Sequence, residues 1–364
     1  MPRSKARVTL KDVAQAAGVS TQTVSRVINN RPDVAPETFT RVQQIIEEFG
    51  YAPNILARSL IRGRSHTLGV VAYGLEYFGP SRVLTGIESK AAALGYSIFL
   101  HLLPEPEAEG IQQVVNSLFA RQVDGIIWAI PEIGNNRAWA LARIPDFPAP
   151  VAFVSGASQP PGLPLVGVDN HAIGRLATTQ LVAGGARNVG IITGPLDWWE
   201  AQQRQQGWRD VLEAEGLPAG DQLVAVGDWD AHSGAQGLYQ LLVQSPEIDA
   251  VFASNDQMAL GVLHAAHRLG RRVPDELAVV GVDNTPESAH YWPPLTTVRQ
   301  RLREAGSMVV EQADQLIREA GRTRRKGPAT APASTLLQPE LVVRESSRNP
   351  AAGGIASLAG GQAR

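Results

Sequence analysis

The chain from Leu68 onward alternates short, predominantly apolar runs with longer amphipathic segments. Runs of this length without strict polar alternation are typical of strands that helices cover on both faces, which means parallel sheets. The two groups of runs predict an α/β body of two doubly wound parallel-sheet lobes with a ligand cleft beyond the carboxyl ends of the strands. The runs are 68–72, 96–102, 125–130, 151–154, 189–193, 222–226, 250–253 and 277–281.

Charge is divided unevenly along the 364 residues. Residues 1–66 carry ten Lys or Arg against five Asp or Glu, and the remainder carries 23 against 30. A basic end on an acidic body is expected when one end binds phosphates. The absence of cysteine excludes disulfides and thiolate metal sites. The chain has neither a signal-peptide pattern nor an apolar run of about 18 residues, so we expect a cytoplasmic protein without a membrane partner.

Residues 9–29 have the pattern of two short helices joined by a glycine. Thr9 is suited to cap the first helix with Asp12, Gly18 to end it, and Ser20 to cap the second. An ordinary helical hairpin is the alternative, but the outer face is polar and basic, which favours a helix-turn-helix that enters a major groove. That face presents Thr21, Gln22, Ser25, Arg26 and Asn29.

A third helix is expected from about Glu37 to Phe49, with an apolar stripe that includes Phe49. Residues 53–60 form a short helical pattern that is too short for a stable isolated helix in water. We therefore expect that segment to be helical only when something packs against it. The last 21 residues, 344–364, are rich in Gly, Ala and Ser, and we expect a disordered tail without a heptad helix.

The stretch from residue 9 to residue 60 resembles the DNA-binding headpiece of the lactose-repressor (LacI/GalR) family almost position by position. Residues 66–343 resemble the effector-binding and dimerisation domain of that family, which is similar to periplasmic sugar-binding proteins. The resemblance implies a headpiece at 1–51, a hinge helix and linker at 52–65, and two lobes joined by three crossings near Val168, Val298 and Gly327. The first lobe would hold 66–168 and 300–327, and the second 169–298 and 328–343.

The resemblance also assigns roles in DNA binding. Thr21, Gln22 and Arg26 take the base-contacting positions, and glutamine and arginine can bridge adenine and guanine through paired hydrogen bonds. The other side chains are expected to bind phosphates or to contact DNA from the hinge, where an apolar wedge can kink the minor groove. They are Thr9, Ser20, Ser25, Asn29, Ala57 and Leu60, the last being the wedge.

In the effector domain, the resemblance places a ligand-binding arginine at Arg204. The other expected pocket residues follow strands or crossings, and they are Ser155, Trp229, Asn255, Asp283 and Gln300. Such a set can bind the hydroxyls and the apolar face of a sugar. Taken singly, Arg204 could be an exposed salt-bridge partner and Trp229 a packing residue, and Asp256 is expected to cap a helix.

Several motifs resemble the galactoside-binding members of the family, but Ser155 and Val168 replace an acidic and an aromatic ligand residue. The resemblance implies a homodimeric repressor of sugar-utilisation genes that binds double-stranded operator DNA and is released by a small sugar, with no cofactor. Use of a corepressor and a role as a sugar-transport receptor are the alternatives. Enzyme motifs are absent, and His264 and His267 lack a nearby third metal ligand.

Overall fold

A computed structural model describes residues 8–51, 64–106, 111–143, 147–154, 165–323 and 334–348. Contacts divide the chain into two compact units, one that ends at Ser65 and one that begins at His66. The predicted hinge helix with Ala57 and Leu60, and the pocket position Ser155, lie outside the described residues.

The first unit contains three helices, α1 (Leu10–Ala17), α2 (Thr21–Ile28) and α3 (Pro36–Glu48). Thr9 caps α1 in a capping box with Asp12, and Gly18 ends it in the left-handed conformation at φ 64°. The small core confirms the predicted apolar faces, except that Phe49 is 41% exposed. The buried core side chains are Val13, Ala14, Ala17, Val24, Val27 and Val42.

The second unit begins with a lobe whose six-stranded sheet is parallel throughout, in the order β11-β5-β4-β3-β1-β2. Its central strands are buried because helices cover both faces, whereas the edge strand β2 is only half-buried. The strands are β1 (Thr67–Ala72), β2 (Ser97–Leu102), β3 (Gly125–Ala129), β4 (Val151–Val154), β5 (Leu165–Val168) and β11 (Thr335–Leu337). The helices are α4 (Phe78–Ala93), α5 (Ile111–Ala120), α6 (Asn136–Arg143) and α11 (Leu302–Thr323).

The other lobe has a sheet in the order β12-β10-β9-β8-β6-β7, and only β12 is antiparallel to its neighbour. Its strands are β6 (Val189–Thr193), β7 (Val224–Val226), β8 (Ala250–Ala253), β9 (Ala278–Val282), β10 (Thr296–Arg299) and β12 (Glu340–Val342). Its helices are α7 (Asn170–Ala183), α8 (Trp199–Ala214), α9 (Ala231–Gln244) and α10 (Asp256–Arg268). The observed architecture is therefore the predicted pair of doubly wound lobes.

The three crossings between lobes follow β5, β10 and β11. The first two agree with the positions expected near Val168 and Val298. The expected third crossing near Gly327 is wrong, because residues 335–337 still belong to the first lobe, where they pair in parallel with β5. The third crossing instead lies between β11 and β12. Leu337, the last residue of β11, is buried at the edge of the first-lobe sheet.

The predicted tail also begins too early. Residues 344–348 are part of the second lobe rather than a disordered segment, since Ser346 and Ser347 are buried. The Ser346 hydroxyl accepts from the Thr296 amide at 2.8 Å and donates to the Val279 carbonyl at 2.7 Å. The Arg344 guanidinium donates to the Asn284 side chain at 2.6 Å. The Ser346 bonds attach the segment to the internal strands β9 and β10, which a composition rich in Gly, Ala and Ser does not reveal.

Candidate functional site

The outer face of α2 is available to a large partner. Thr21, Gln22 and Arg26 are exposed on it, while Val24 and Val27 on the opposite face are buried in the three-helix core. Arg26 forms one ion pair, with Asp33 at 3.5 Å, and both side chains are about half exposed. An exposed pair of this kind contributes at most about 1 kcal/mol. The guanidinium can therefore exchange Asp33 for a base or phosphate at small cost.

The capping groups of α2 have defined local partners. The Ser20 hydroxyl accepts a hydrogen bond from the Thr23 amide at 3.0 Å, so it fixes the start of the helix. The Asn29 side-chain amide donates to the Ser25 carbonyl at 2.6 Å at its end. Ser20 and Asn29 thus define the two ends of α2, as Thr9 defines the start of α1. The phosphate contacts expected of these residues stay predictions.

The cleft between the two lobes of the second unit holds a cavity of about 410 Å³. Ligand pockets in proteins typically measure about 300–1,000 Å³. The wall from the first lobe is largely apolar and the wall from the second lobe is largely polar, and both lie at the carboxyl ends of the strands, as predicted. Lining residues from the first lobe include Tyr77, Phe78, Pro80, Val83, Ile130 and Gln300, and those from the second include Asn170, Trp198, Glu200, Arg204, Trp229, Asn255 and Asp283.

Arg204 is the central cation of the cleft and is 6% exposed. Its Nε donates to the Asn170 side chain at 2.9 Å and its Nη1 donates to the Ser254 carbonyl. Burial lowers the pKa of the guanidinium, and the charge of Asp283 opposes that shift. These partners exclude the exposed salt-bridge role for Arg204 and fix the guanidinium plane inside the pocket.

Asp283 follows β9 and faces the same cation. Burial raises the pKa of its carboxyl to about 7, while the charge of Arg204 acts in the opposite direction. The Gln300 amide donates to Asp283 Oδ1 at 2.6 Å. Asp283 has φ 112°, a backbone conformation that costs energy and is concentrated at functional sites. The structure thus brings together Arg204, Asp283 and Gln300 as the sequence predicted.

Asn255, not Asp256, caps α10. The Asn255 side chain accepts from the Met258 amide at 2.8 Å and donates to the Trp229 carbonyl at 2.8 Å. The expected capping role of Asp256 is wrong, because the Asn255 side chain accepts the capping bond and the Asp256 carboxylate is buried in the second lobe. There it accepts from the Thr285 amide and from the Thr297 hydroxyl at 2.6 Å. Burial raises the pKa of Asp256 to about 6.

Three aromatic rings, one from the first lobe and two from the second, form an aromatic wall that extends across both lobes. Trp198 makes an edge contact with Trp229 at a centroid distance of 5.5 Å, and with Tyr77 of the first lobe at 5.4 Å. Trp229 adopts φ 78°, and its ring lies where a Cβ on Gly194 would be, 2.0 Å away. Gly194 is therefore required for the tryptophan to reach the cavity, and an apolar sugar face could stack against this wall.

The geometry has counterparts among known proteins. The family model "Bacterial regulatory proteins, lacI family" matches residues 9–54, and "Periplasmic binding protein-like domain" matches residues 178–347. The Lactose operon repressor of Escherichia coli (strain K12) is 35% identical over 85% of this chain and 84% of its own length. The chain belongs to the LacI family. It is a transcriptional regulator with a helix-turn-helix DNA-binding domain and a periplasmic-binding-protein-like body, which confirms the predicted family and fold.

Other LacI-family relatives extend the likeness. The HTH-type transcriptional regulator CelR of Thermobifida fusca is 34% identical over 93% of this chain and 98% of its own length. A crystal structure of the lac repressor dimer bound to operator and the anti-inducer ONPF matches with a TM-score of 0.81 at 32% identity, covering 94% of this chain and all of that one. A transcriptional regulator CelR–cellobiose complex matches with a TM-score of 0.68 at 30% identity, with the same coverage.

This LacI-family pocket also contains residues that sequence reasoning missed. Two residues that position Arg204 were not predicted, Asn170 through its side chain and Ser254 through its carbonyl. Three residues that line the cavity were not predicted either: Tyr77, Trp198 and Glu200. Trp198 and Glu200 stand in the same sequence segment as Arg204, so their proximity was a usable signal. Tyr77 comes from the other lobe, and no local pattern connects it with them.

Three buried polar atoms of the lining residues lack hydrogen-bond partners within the described parts of the chain. They are Trp229 Nε1, a donor, and Glu200 Oε2 and Gln257 Oε1, both acceptors. Buried polar groups are usually hydrogen-bonded, so these atoms are available to hydrogen-bond a molecule that enters the cavity. Donor and acceptor together favour a ligand with several hydroxyl groups.

Across the described ranges, no cluster of three or more His, Asp or Glu side chains could hold a metal ion. His264 and His267 both lie on the exposed face of α10. Among the same residues, no helix is long and apolar enough to span a bilayer.

Proposed function

We propose that this protein is a homodimeric repressor that binds a pseudo-palindromic operator and is released from it by a small sugar. The observation that carries the effector proposal is the interlobe cavity, which combines an aromatic wall with a buried Arg204–Asp283–Gln300 network. Aromatic rings can cover the apolar face of a pyranose while the polar groups bind its hydroxyls.

The DNA-binding proposal depends on the exposed face of α2. Gln22 and Arg26 are the residue types that discriminate adenine and guanine in the major groove, and they project from a helix whose opposite face is buried. A dimer would place two such helices on two half-sites. We further propose that Thr9, Ser20, Ser25 and Asn29 set the register through phosphates.

Between the two sites, we propose that sugar binding changes the angle between the lobes. Because each lobe contributes one wall of the cavity, a ligand that contacts both walls favours one lobe arrangement over another. The segment 52–65 would transmit that change to the headpiece. Typical allosteric coupling of about 1–3 kcal/mol would lower operator affinity by about 5–150-fold.

The test combines DNA selection with ligand screening. The purified full chain should enrich palindromic duplexes from a random pool and sediment as a dimer. A panel of mono- and disaccharides, lactose and cellobiose among them, should contain members that raise its unfolding temperature. A ligand that strengthens operator binding would show corepressor use instead. Failure to select any palindrome would contradict the DNA-binding proposal.

Leu60 provides a separate test of the hinge, where we propose that it acts as an apolar wedge in the minor groove. Leu60→Ala should weaken binding to the selected operator by more than binding to random duplex DNA, because only a specific complex contains the kink. Competition binding at one salt concentration measures both affinities. Equal losses for the two DNAs would refute the wedge.

A further inference from the structure

The interlobe cavity buries two carboxyl groups, Asp283 and Glu200, beside the cation Arg204, so it holds more negative than positive buried charge once the pH exceeds about 7. Arg204 faces two carboxylates, Asp283 and Glu200, and Asp283 acts more strongly on the Arg204 pKa. Asp283 also accepts the amide hydrogen bond from Gln300. Glu200, by contrast, faces a second acidic side chain, Glu132, whose charge further raises the Glu200 pKa. One carboxylate is therefore left largely uncompensated.

Glu200 carries this excess at the start of α8. Its Oε2 atom is buried and has no hydrogen-bond partner within the segments that the structure describes. Burial raises the pKa of the carboxyl to about 7, and the backbone N–H groups of Glu200 and Glu132, together with Arg204, offset only part of that shift. A buried acceptor without a partner destabilises the folded state, and more so if it is charged. A ligand that donates a hydrogen bond to Oε2 would offset this cost.

The entrance to the same cavity is also acidic. Glu76 from the first lobe and Asp228 and Asp230 from the second are exposed and line the pocket. The charge of Glu76 helps to raise the pKa of Tyr77 on the aromatic wall, after burial itself. A cleft lined by one sign of charge lowers the local concentration of ligands of that sign.

We propose that Glu200 determines effector specificity by accepting a hydrogen bond at Oε2 from a hydroxyl or ammonium group, and that the pocket rejects sugars that carry a carboxylate or phosphate there. This inference rests on the proposed function, in which the cavity binds a sugar. It adds the chemical class of the effector, which is a neutral or amino sugar. A site built to hydrogen-bond a donor discriminates strongly against an analogue that lacks it.

A structural role for Glu200 makes the opposite prediction. A carboxylate in the first turn of a helix is stabilised by the helix dipole, so its neutralisation would destabilise the protein. If Glu200 is instead an uncompensated ligand acceptor, Glu200→Gln should raise the unfolding temperature at pH 8, where the carboxylate is ionised. The matched control is Glu213→Gln, an exposed glutamate on the same helix, which should change neither stability nor binding.

The experiment compares matched sugars on the full-length wild type, Glu200→Gln and Glu213→Gln. The probes are galactose, galactosamine and galacturonate, the same three forms of glucose, and the neutral disaccharides lactose and cellobiose. Thermal shift identifies binders and calorimetry measures their affinities. We expect the wild type to bind a neutral or amino member and to discriminate against its uronate, and Glu200→Gln to lose about tenfold in affinity for that member and to discriminate less.

The outcomes separate the two proposals. If sugars shift the wild-type unfolding temperature but Glu200→Gln keeps the same affinities and the same discrimination, the inference about Glu200 is wrong and the proposed function stands. A lower unfolding temperature of Glu200→Gln at pH 8 would also overturn the inference, because the carboxylate would then have a stabilising partner. If no probe shifts the wild type, the proposed sugar response and the inference fail together.

Discussion

At the scale of single residues, Arg204 is the side chain on which the pocket depends. It contacts a side-chain oxygen, a main-chain carbonyl and the face of Trp229, with 5.7 Å between the guanidinium carbon and the ring centroid. No other residue type offers planar donors in this arrangement. The network therefore needs arginine, not merely a positive charge.

Arg204→Ala should abolish the effector response and leave operator affinity within about twofold, since the headpiece is a separate compact unit. Removal of the cation also leaves Asp283 without its charge partner, so the free energy of unfolding should fall by about 3–5 kcal/mol. Thermal shift and operator binding with and without sugar measure these effects. Arg209→Ala, on the same helix but paired with the exposed Asp221, is the control. An unchanged effector response would contradict the proposed role of Arg204 in effector binding.

Asp283 should make stability depend on pH. The pKa of its carboxyl is about 7 in the folded protein, whereas the ordinary value for an aspartate is 3.8. Between these two pH values the folded state therefore keeps a proton that the unfolded state releases. Stability from this carboxyl is fully present below pH 3.8 and is lost as pH rises through about 7. The wild-type free energy of unfolding should therefore fall relative to that of Asp283→Asn, by up to about 4 kcal/mol between pH 4 and pH 8.

Urea denaturation at several pH values measures that difference, and Asp275→Asn at an exposed position corrects for the general effect of removing a carboxylate. A constant difference between wild type and Asp283→Asn across this range would contradict the proposed protonation of Asp283.

At the scale of helices and strands, close contact between α7 and α8 positions Arg204. A Cβ on Gly174 would lie 2.1 Å from the Arg204 carbonyl oxygen, and one on Gly207 would lie 2.2 Å from the His171 carbonyl oxygen. These reciprocal glycines let the two helix backbones touch. They also place the Arg204 side chain within reach of Asn170, at the start of α7.

Gly174→Ala should separate these helices, because the atom that it meets belongs to the backbone and cannot rotate away. We expect a loss of about 1–3 kcal/mol in the free energy of unfolding and a weaker sugar response. Gly321→Ala, an exposed helical position with open space around it, should be neutral or stabilising. Calorimetric unfolding of both variants checks this. Equal stability of Gly174→Ala and wild type would contradict the packing argument.

Sequence patterns predicted the helix caps and strands that depend on residues close to one another in the chain. The caps at Thr9 and Ser20 and the buried strands β6, β8 and β9 follow from residue types at fixed spacing. Long-range pairing was not predictable in the same way. The three-residue strand β11 is a strand only because β5 lies beside it, and Ser346 is buried only because β9 and β10 accept it. The wrong third crossing and the early tail both come from this dependence on distant partners.

The candidate site shows the same division. Asn255, Asp283 and Gln300 were predictable because they directly follow strands whose carboxyl ends meet at the cleft. The contribution of Tyr77 depends on closure of one lobe against the other. The uncompensated charge of Glu200 depends on Glu132, which lies 68 positions earlier in the chain. No single stretch of sequence contains either arrangement.

At the scale of the whole molecule, the proposed function requires thermodynamic coupling between the DNA-binding unit and the effector-binding unit. If a sugar lowers operator affinity, the operator must lower sugar affinity by the same factor, because both binding steps belong to one cycle. This reciprocity distinguishes an allosteric regulator from a protein whose two units act independently.

The most direct test measures both halves of that cycle on the full-length protein. Operator affinity is determined with and without a saturating sugar, and sugar affinity is determined with and without a saturating operator duplex, at one salt concentration. We expect equal reductions of about 5–150-fold in the two affinities. Operator binding that is indifferent to every sugar that binds the cleft would contradict the proposed coupling.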